Sequence, residues 1–178
     1  MAWLRQLDLA TASQQLRRDL LLEEVEALNG QVRRLEQELN RRAQQTPAVA
    51  RLRSIPGVGI RTAEAVAAFI DDPQRFRHAK AVGRYFGLVP CQDQSGDKNR
   101  LGHITREGPA VVRRLVAEAT WQAVRRSPAV RAFLERTQRG DPQRKKIAVV
   151  ARAHYLVRVM WALLERGSTW EENAAQAK

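Results

Sequence analysis

The sequence predicts a mainly α-helical chain, in which a long N-terminal coiled-coil helix precedes a compact helical domain with a helix-hairpin-helix motif and one irregular loop. Three observations predict this. Apolar residues recur at helical spacing through residues 13–43 and again from 108 to 166. Gly and Pro residues fall at the breaks between these runs, where helices stop and start. Only residues 90–106 form a long stretch without a helical period.

Residues 13–43 read as one helix with no Pro and with only Gly30 against it. Leu21, Val25, Leu28, Val32, Leu35 and Leu39 alternate four and three apart. This is a heptad with Val25, Val32 and Leu39 at one core position and the leucines 21, 28 and 35 at the other. β-Branched residues at a with Leu at d favour two parallel strands, so a homodimer through residues 16–43 is expected. An antiparallel hairpin, or packing on another domain, would use the same stripe. Glu24, Arg33, Arg34, Glu36 and Glu38 read as its solvated face.

Thr46-Pro47 ends that arm, placing a boundary between residues 1–46 and a domain over residues 47–170. From Leu52 to about Ile70 the pattern is a helix, a tight turn at Gly57-Val58-Gly59 and a second helix. It resembles the helix-hairpin-helix DNA-binding motif. Glycines let a phosphate approach backbone N–H groups, and the following helix N-terminus adds its dipole. Gly57, Val58, Gly59, Arg61 and Thr62 are the candidate DNA-binding residues. An ordinary helical hairpin, whose glycines serve only the turn, fits the same letters.

Asp71-Asp72-Pro73 stops this pair, and a short helix runs from Ala79 to Phe86, ended by Gly87. Leu88-Val89-Pro90 reads as extended and leads into an irregular insertion that a hairpin could form. Gly108-Pro109 opens a helix to about Arg126, with Val112, Leu115, Val116, Ala119 and Val124 as its apolar set. Arg113 and Arg114 lie where DNA or solvent could meet them. Ser127-Pro128 starts the next helix, to Arg139. Asp141-Pro142 starts the last, from Gln143 to Arg166, whose many apolar residues and His154 mark it as largely buried. His154 is expected to be a hydrogen-bonded core residue and His103 a brace for the loop. The tail 171–178 is expected to fray. Trp3, Trp121, Trp161 and Trp170 are scattered and read as core or interface residues.

Charge is unevenly placed. Of the net +12, residues 1–46 contribute nothing, with seven Arg and seven acids; the rest carries it all. A neutral arm on a basic body points to a polyanion partner, nucleic acid above all. No apolar run approaches the roughly 18–20 residues of a membrane span, and residues 1–5 show no secretion signal. No membrane partner is therefore expected. The lone Cys91 excludes an internal disulfide framework and fits a reducing compartment. With His78, His103 and His154 as the only histidines, no zinc-ligand spacing exists.

The loop carries one Ser beside a Gly, Ser95-Gly96, followed by Lys98, Arg100 and Arg106. A serine hydroxyl needs a base, a metal or a positive field to act as a nucleophile. No His or acid is spaced as a triad partner. The three cations could hold a phosphate and stabilise charge developing on it, and Gly96 would leave room for a DNA backbone. Most such Ser-Gly pairs are simply turns.

The order of several uncommon tokens adds to this. Ile55-Pro56-Gly57-Val58-Gly59, Asp72-Pro73-Gln74-Arg75-Phe76, Tyr85-Phe86-Gly87-Leu88-Val89-Pro90, the block from Ser95 to Thr105, and Lys146-Ile147-Ala148-Val149-Val150-Ala151-Arg152-Ala153 follow in one line. Over residues 16–167 the chain resembles the C-terminal transposase domain of the insertion-sequence one-ten family, serine-using DEDD transposases guided by a bridge RNA. The resemblance implies that Ser95 is the strand-exchange nucleophile, that loop 90–106 is a catalytic loop, and that DNA and a guide (bridge) RNA are partners. Gln94 stands where the family often has a first Ser, and Cys91 where an Arg is common.

Family members also carry an N-terminal RuvC-like domain whose four acids bind Mg²⁺. That domain is expected to be missing here, since Asp8 and Asp19 lie on helical sequence. No cofactor is expected in this chain itself, and Mg²⁺ only with the RuvC-like domain. The expectation is thus a bacterial, cytoplasmic, nucleoid-associated transposase domain, truncated and inactive alone. The alternative is a non-catalytic dimeric helix-hairpin-helix DNA-binding protein.

Overall fold

The computed structural model describes residues 2–95 and 98–170, as backbone alone at residues 2, 93–95, 98–101 and 129. Gly96 and the tail 171–178 lie outside the described residues. The chain divides into two units, residues 1–45 and 46–178. The described residues form eight α-helices and one two-stranded sheet.

In the first unit, α1 (Ala2–Arg5) precedes α2 (Ala12–Gln45), a helix of 34 residues and about 50 Å in length. Thr11 caps α2, its Oγ1 accepting from the Gln14 N–H at 3.3 Å. Gly30 leaves the helix unbroken, and a Cβ there would meet nothing. The turn before α2 is fastened to it by side chains: Arg18 donates to the Leu7 carbonyl at 2.6 Å and Arg5 to Glu26 at 2.7 Å. Glu38 accepts from Arg41 and Arg42, which hold its carboxyl down to about 2. Leu21, Val25, Leu28, Val32, Leu35 and Leu39 are all exposed, between 39% and 65%. The heptad stripe is thus one continuous apolar surface facing solvent.

The second unit comprises α3 (Pro47–Arg53), α4 (Ile60–Ile70), α5 (Ala79–Tyr85), β1 (Pro90–Ser95), β2 (Lys98–Ile104), α6 (Ala110–Arg126), α7 (Pro128–Gln138) and α8 (Lys145–Arg166). Its axis is α8, against which α3, α4, α5, α6 and α7 all pack. Ala148, Ala153, Val157, Met160 and Leu163 of α8 are buried by these neighbours. By length and composition, Pro142–Arg166 would also serve as a membrane span. The small side chains Ala148 and Ala153 let the surrounding helices close on it, as a core helix requires.

Helix ends follow their local chemistry. Ser127 caps α7, and Asp72 and Asp141 cap the 3₁₀ turns Pro73–Arg75 and Pro142–Arg144, accepting from Gln74 and Gln143. Gly167, at φ 68°, ends α8 with the Ser168 N–H returning to the Leu163 carbonyl. The Trp161 indole donates to the Pro73 carbonyl at 2.9 Å, tying the first 3₁₀ turn to the axis.

One expectation needs correction. On α6 the fully enclosed set is Val112, Val116, Ala119, Thr120 and Ala123, while Leu115 and Val124 are only half-buried. Small residues occupy the centre because the turn at Gly57 presses on Ala123, and a Cβ at Gly57 would overlap that backbone. Thr120 is accommodated by donating to the Val116 carbonyl at 2.8 Å. The stretch expected as an irregular insertion that a hairpin could form does take the hairpin form: β1 and β2 pair antiparallel from Pro90↔Ile104 to Ser95↔Lys98, with an irregularity between Pro90 and Gln92. Its backbone pairing does not depend on an apolar alternation, so periodicity did not reveal it.

His154 also departs from expectation. Its ring lies against Gly83 of α5, where no Cβ would fit, and its buried Nε2 has no hydrogen-bond partner. Burial first, then the charges of Arg158 and Lys80, hold its pKa below the ordinary imidazole value. As pH falls, the unfolded chain therefore takes up this proton before the folded one. The contribution is complete above the unfolded pKa near 6.5 and is lost as pH falls toward the lower folded value. Urea titrations should show a lower unfolding midpoint at about pH 5.5 than at about pH 7.5, and a smaller difference in His154→Gln. An equal difference in both proteins would remove His154 as the cause.

Candidate functional site

The β-hairpin leaves the helical body through a tight clasp. Gly87, at φ 63°, ends α5, and the Leu88 N–H returns to the Gly83 carbonyl at 2.9 Å. Across the base, Thr105 donates to the Val89 carbonyl at 2.9 Å and Arg106 to the Gly87 carbonyl at 3.3 Å. Gly87 lies so close to the Arg106-Glu107 backbone, and Gly108 to the Tyr85 carbonyl, that neither position has room for a Cβ. Gly108 is also left-handed, at φ 70°, so glycine is required there on two counts.

Arg113 locks this arrangement. From the first turn of α6 its Nη1 donates to the carbonyls of Glu107 at 2.5 Å, Gly108 at 3.0 Å and Phe86 at 3.3 Å. A single guanidinium thereby joins both chains of the hairpin base to α6. Arg113 was a candidate DNA contact; its donors on this side are engaged by the fold. Higher in the hairpin, His103 Nδ1 contacts the Ile104 carbonyl at 2.9 Å and lies 3.8 Å from Cys91 Sγ on the other strand. His103 is thus positioned as a cross-strand brace.

At the far end, Ser95 closes β1 directly opposite Lys98, and Asp93 pairs with Arg100. Alternation along each strand sets positions 93, 95, 98 and 100 on one side of the ribbon. The backbone therefore groups Ser95 with Lys98 and Arg100, three of the candidate site residues; Gly96 lies outside the described residues. Arg106 is not part of this group. It sits exposed at the base, at φ 57°, about 20 Å from Lys98 at the usual strand rise.

The second candidate element is the α3–α4 turn. Ser54 ends α3, its hydroxyl donating to the Arg51 carbonyl at 2.6 Å and accepting from the Trp170 N–H at 2.8 Å. Gly57 (φ 90°) and Val58 face inward, toward Ala123 and the core respectively. Gly59 is exposed, and a Cβ there would meet nothing. It begins α4 without any side-chain cap, so no capping side chain takes up the first N–H groups of this helix. Thr62 is buried, with its hydroxyl 3.5 Å from the Leu115 carbonyl. Arg61 donates to Glu64 at 2.7 Å. Of the five residues singled out here, Gly59 presents its backbone freely, while Gly57, Val58 and Thr62 build the turn.

Among the described residues no three His, Cys, Asp or Glu converge on a point that could hold a metal ion. A feature that sequence reasoning passed over is the corner made by the end of α6, α7 and the start of α8. Cations stand beside partly exposed rings there, with the exposed Lys145 Nζ 5.3 Å from the Trp121 ring centre and the half-buried Arg152 guanidinium 4.6 Å from that of Tyr155. The signal was present as a run of Arg and Lys from 125 to 152, but each fell on a helix and read as solvated surface.

Residues 49–135 match the model of the family described as Transposase IS116/IS110/IS902. The chain is 31% identical over 148 residues to a protein of Pseudomonas aeruginosa named "Probable family 20 transposase", spanning 82% of this chain and 44% of that one. It is 33% identical over 143 residues to the transposase for insertion sequence element IS1111A of Coxiella burnetii, covering 76% of this chain and 38% of the relative. A 43.6 kDa protein of insertion element IS110 from Streptomyces coelicolor is 29% identical over 145 residues, 82% of this chain and 36% of its own. The chain thus spans less than half the length of these curated relatives.

Arg113→Met removes the bonds to three carbonyls at the hairpin base, two of them on the exposed residues Glu107 and Gly108. It should lower unfolding stability by about 1 kcal/mol in urea titrations. A change within about 0.5 kcal/mol, the range of an ordinary surface substitution, would show that the clasp does not depend on it.

Proposed function

Because residues 49–135 match the Transposase IS116/IS110/IS902 family and several relatives are named transposases, we propose that the chain is a transposase domain that binds DNA and supplies Ser95 as the nucleophile for strand exchange. The observation that carries the reading is the hairpin register, which sets Ser95 opposite Lys98 with Arg100 on the same side. Ser95 Oγ attacks a DNA phosphorus, forming a phosphoserine bond as a P–O bond of the backbone breaks. The serine proton passes to solvent or a base, and the departing DNA oxygen is protonated in turn. Lys98 and Arg100 hold the phosphate and oppose its growing negative charge. The phosphoserine keeps the energy of the broken bond for joining to a second DNA end.

Duplex DNA is placed against the open start of α4. The uncapped N–H groups from Gly59 onward form a phosphate site of the kind helix N-termini provide. Gly57 and Val58 fix the turn that exposes them. In this reading the chain works with a RuvC-like, Mg²⁺-binding domain, and no step is assigned to a metal held by its own residues. A guide RNA is the second proposed partner. The bacterial cytoplasm, at the nucleoid, is the proposed location, and α8 is a core helix and not a membrane span.

The solvent-facing stripe on α2 supports a homodimer through residues 16–43. Six exposed Leu and Val side chains at alternating four and three spacing match the seam of a two-stranded coiled coil.

Two experiments test this reading. The first incubates the protein with donor DNA and guide RNA, with and without a supplied RuvC-like domain, and looks for a covalent protein–DNA adduct. The expected adduct forms with the wild type and vanishes in Ser95→Ala. No adduct under any condition, with DNA binding intact, would leave a non-catalytic DNA-binding protein. The second replaces Leu28 and Leu35 by Gln and measures mass by light scattering. Dimer should convert to monomer; an unchanged mass would show that the stripe is not the dimer seam.

A further inference from the structure

The corner formed by the end of α6, α7, the turn Pro142–Arg144 and the start of α8 is the most basic part of the molecule. Residues 121–152 hold nine Lys and Arg against two acids, Glu135 and Asp141, and so carry +7 of the chain's +12. Asp141 is occupied, accepting from the Gln143 N–H at 2.8 Å. Among the described residues none of the nine cations forms an ion pair, whereas Arg5, Arg18, Arg41, Arg42 and Arg61 all do so in the N-terminal half. Unpaired like charges on one surface raise its positive potential, which favours an anionic partner.

The same corner holds rings that a purely phosphate-binding surface would not need. Trp121 is 37% exposed and Tyr155 40% exposed, unusual positions for such large apolar side chains. Lys145 lies over the Trp121 ring at 5.3 Å, Arg152 over Tyr155 at 4.6 Å and Phe133 at 5.5 Å, and Arg136 over Phe133 at 5.7 Å. Each cation takes one ring face and is thereby held in place. Burial holds Arg152 below the ordinary guanidinium range, a cost that an anion beside it would offset. The α3–α4 turn supplies no aromatic side chain of its own over residues 54–64; its Ile55 and Pro56 border the hollow that Arg152, Tyr155 and Trp170 also line.

We infer that the α6–α7–α8 corner is a nucleic-acid surface additional to the start of α4, adjoining the α3–α4 turn at Ile55 and Pro56, and that it holds single-stranded DNA by stacking unpaired bases on Trp121 and Tyr155 between phosphate-binding cations. A duplex keeps its bases stacked on one another and has no use for exposed rings. A single strand offers both base faces and phosphates, the combination that interleaved aromatic and basic side chains recognise. The inference rests on the reading that the chain acts on DNA, because a strand opened for exchange is what this surface would hold. The corner extends beyond residue 135, where the family match ends.

The test measures fluorescence anisotropy with a labelled single strand, its duplex, and an RNA strand of the same sequence. Trp121→Ala should weaken the single DNA strand about tenfold while leaving the duplex within about twofold, and Trp121→Phe should recover most of the loss. Joint replacement of Arg136, Arg139, Lys145 and Lys146 by Gln should flatten the single-strand salt slope by roughly 0.7 for each phosphate that is no longer bound. Circular dichroism melting of each variant confirms that these exposed replacements leave the fold intact. The inference is overturned if single-strand affinity is unchanged, if duplex affinity falls equally, or if RNA is preferred and its binding falls in the same variants. Duplex binding that survives in those cases would leave the α3–α4 reading standing. A wild-type protein that binds neither duplex nor single strand would sink both.

Discussion

Everything distinctive about this domain depends on one contact, the clasp between the end of α5 and the start of α6. A two-stranded hairpin is marginal by itself in water, and this one is polar along most of its length. Its position is therefore set from its base. Arg113 binds three carbonyls there, and two left-handed glycines allow the chains to meet without side chains between them. The far end of the hairpin inherits its direction from α6 and α5, which are themselves held on α8.

The α3–α4 turn is fixed by the same logic on a different side of α6. Gly57 lies against Ala123, and the loss of a side chain at one position is matched by a small residue at the other. Close backbone approach leaves Gly59 and the start of α4 as the open part of the turn. The two elements read as separate loops in sequence, yet both are referred to one helix: Arg113 near its beginning serves the hairpin, and Ala123 near its end serves the turn. A distortion of α6 would move both together.

Much of the helical architecture was legible because its signals are local. Pro47, Ser127-Pro128 and Gly167 mark helix ends through backbone chemistry that does not depend on tertiary context. The heptad from Leu21 to Leu39 was equally plain. What stayed hidden was set by packing. Arg113 looked like any surface arginine, because its three carbonyl partners are brought to it only when the hairpin base closes. The hairpin was legible only as one form the insertion could take, because its polar residues show no alternating pattern, and the enclosed face of α6 shifted toward Thr120 and Ala123 to admit Gly57. His154 was expected to be hydrogen-bonded, yet its Nε2 is enclosed by contact with Gly83. At the candidate site, sequence order grouped Ser95 with Lys98, Arg100 and Arg106 alike, and the strand register separates the last from the others.

That separation decides which charges can assist the serine. Arg106 and Arg113 both stand at the hairpin base. Hydrogen bonds to neutral carbonyls orient the Arg113 guanidinium but leave its positive charge intact, so proximity alone would qualify either residue to attract DNA. Distance argues otherwise for the chemistry. The far end lies about 20 Å away along the strands, while exposed charges are screened within about 8 Å at physiological salt. At that range their effect on a phosphate beside Ser95 is small, whatever they contribute to drawing DNA toward the domain. Under the proposed reading, charge at the serine is stabilised by cations on the hairpin end itself, where the register sets Lys98 opposite Ser95, and Arg100 opposite Asp93, on one side. Arg106, although next in sequence to the loop and exposed, belongs with Arg113 to the part of the molecule that holds the hairpin in place.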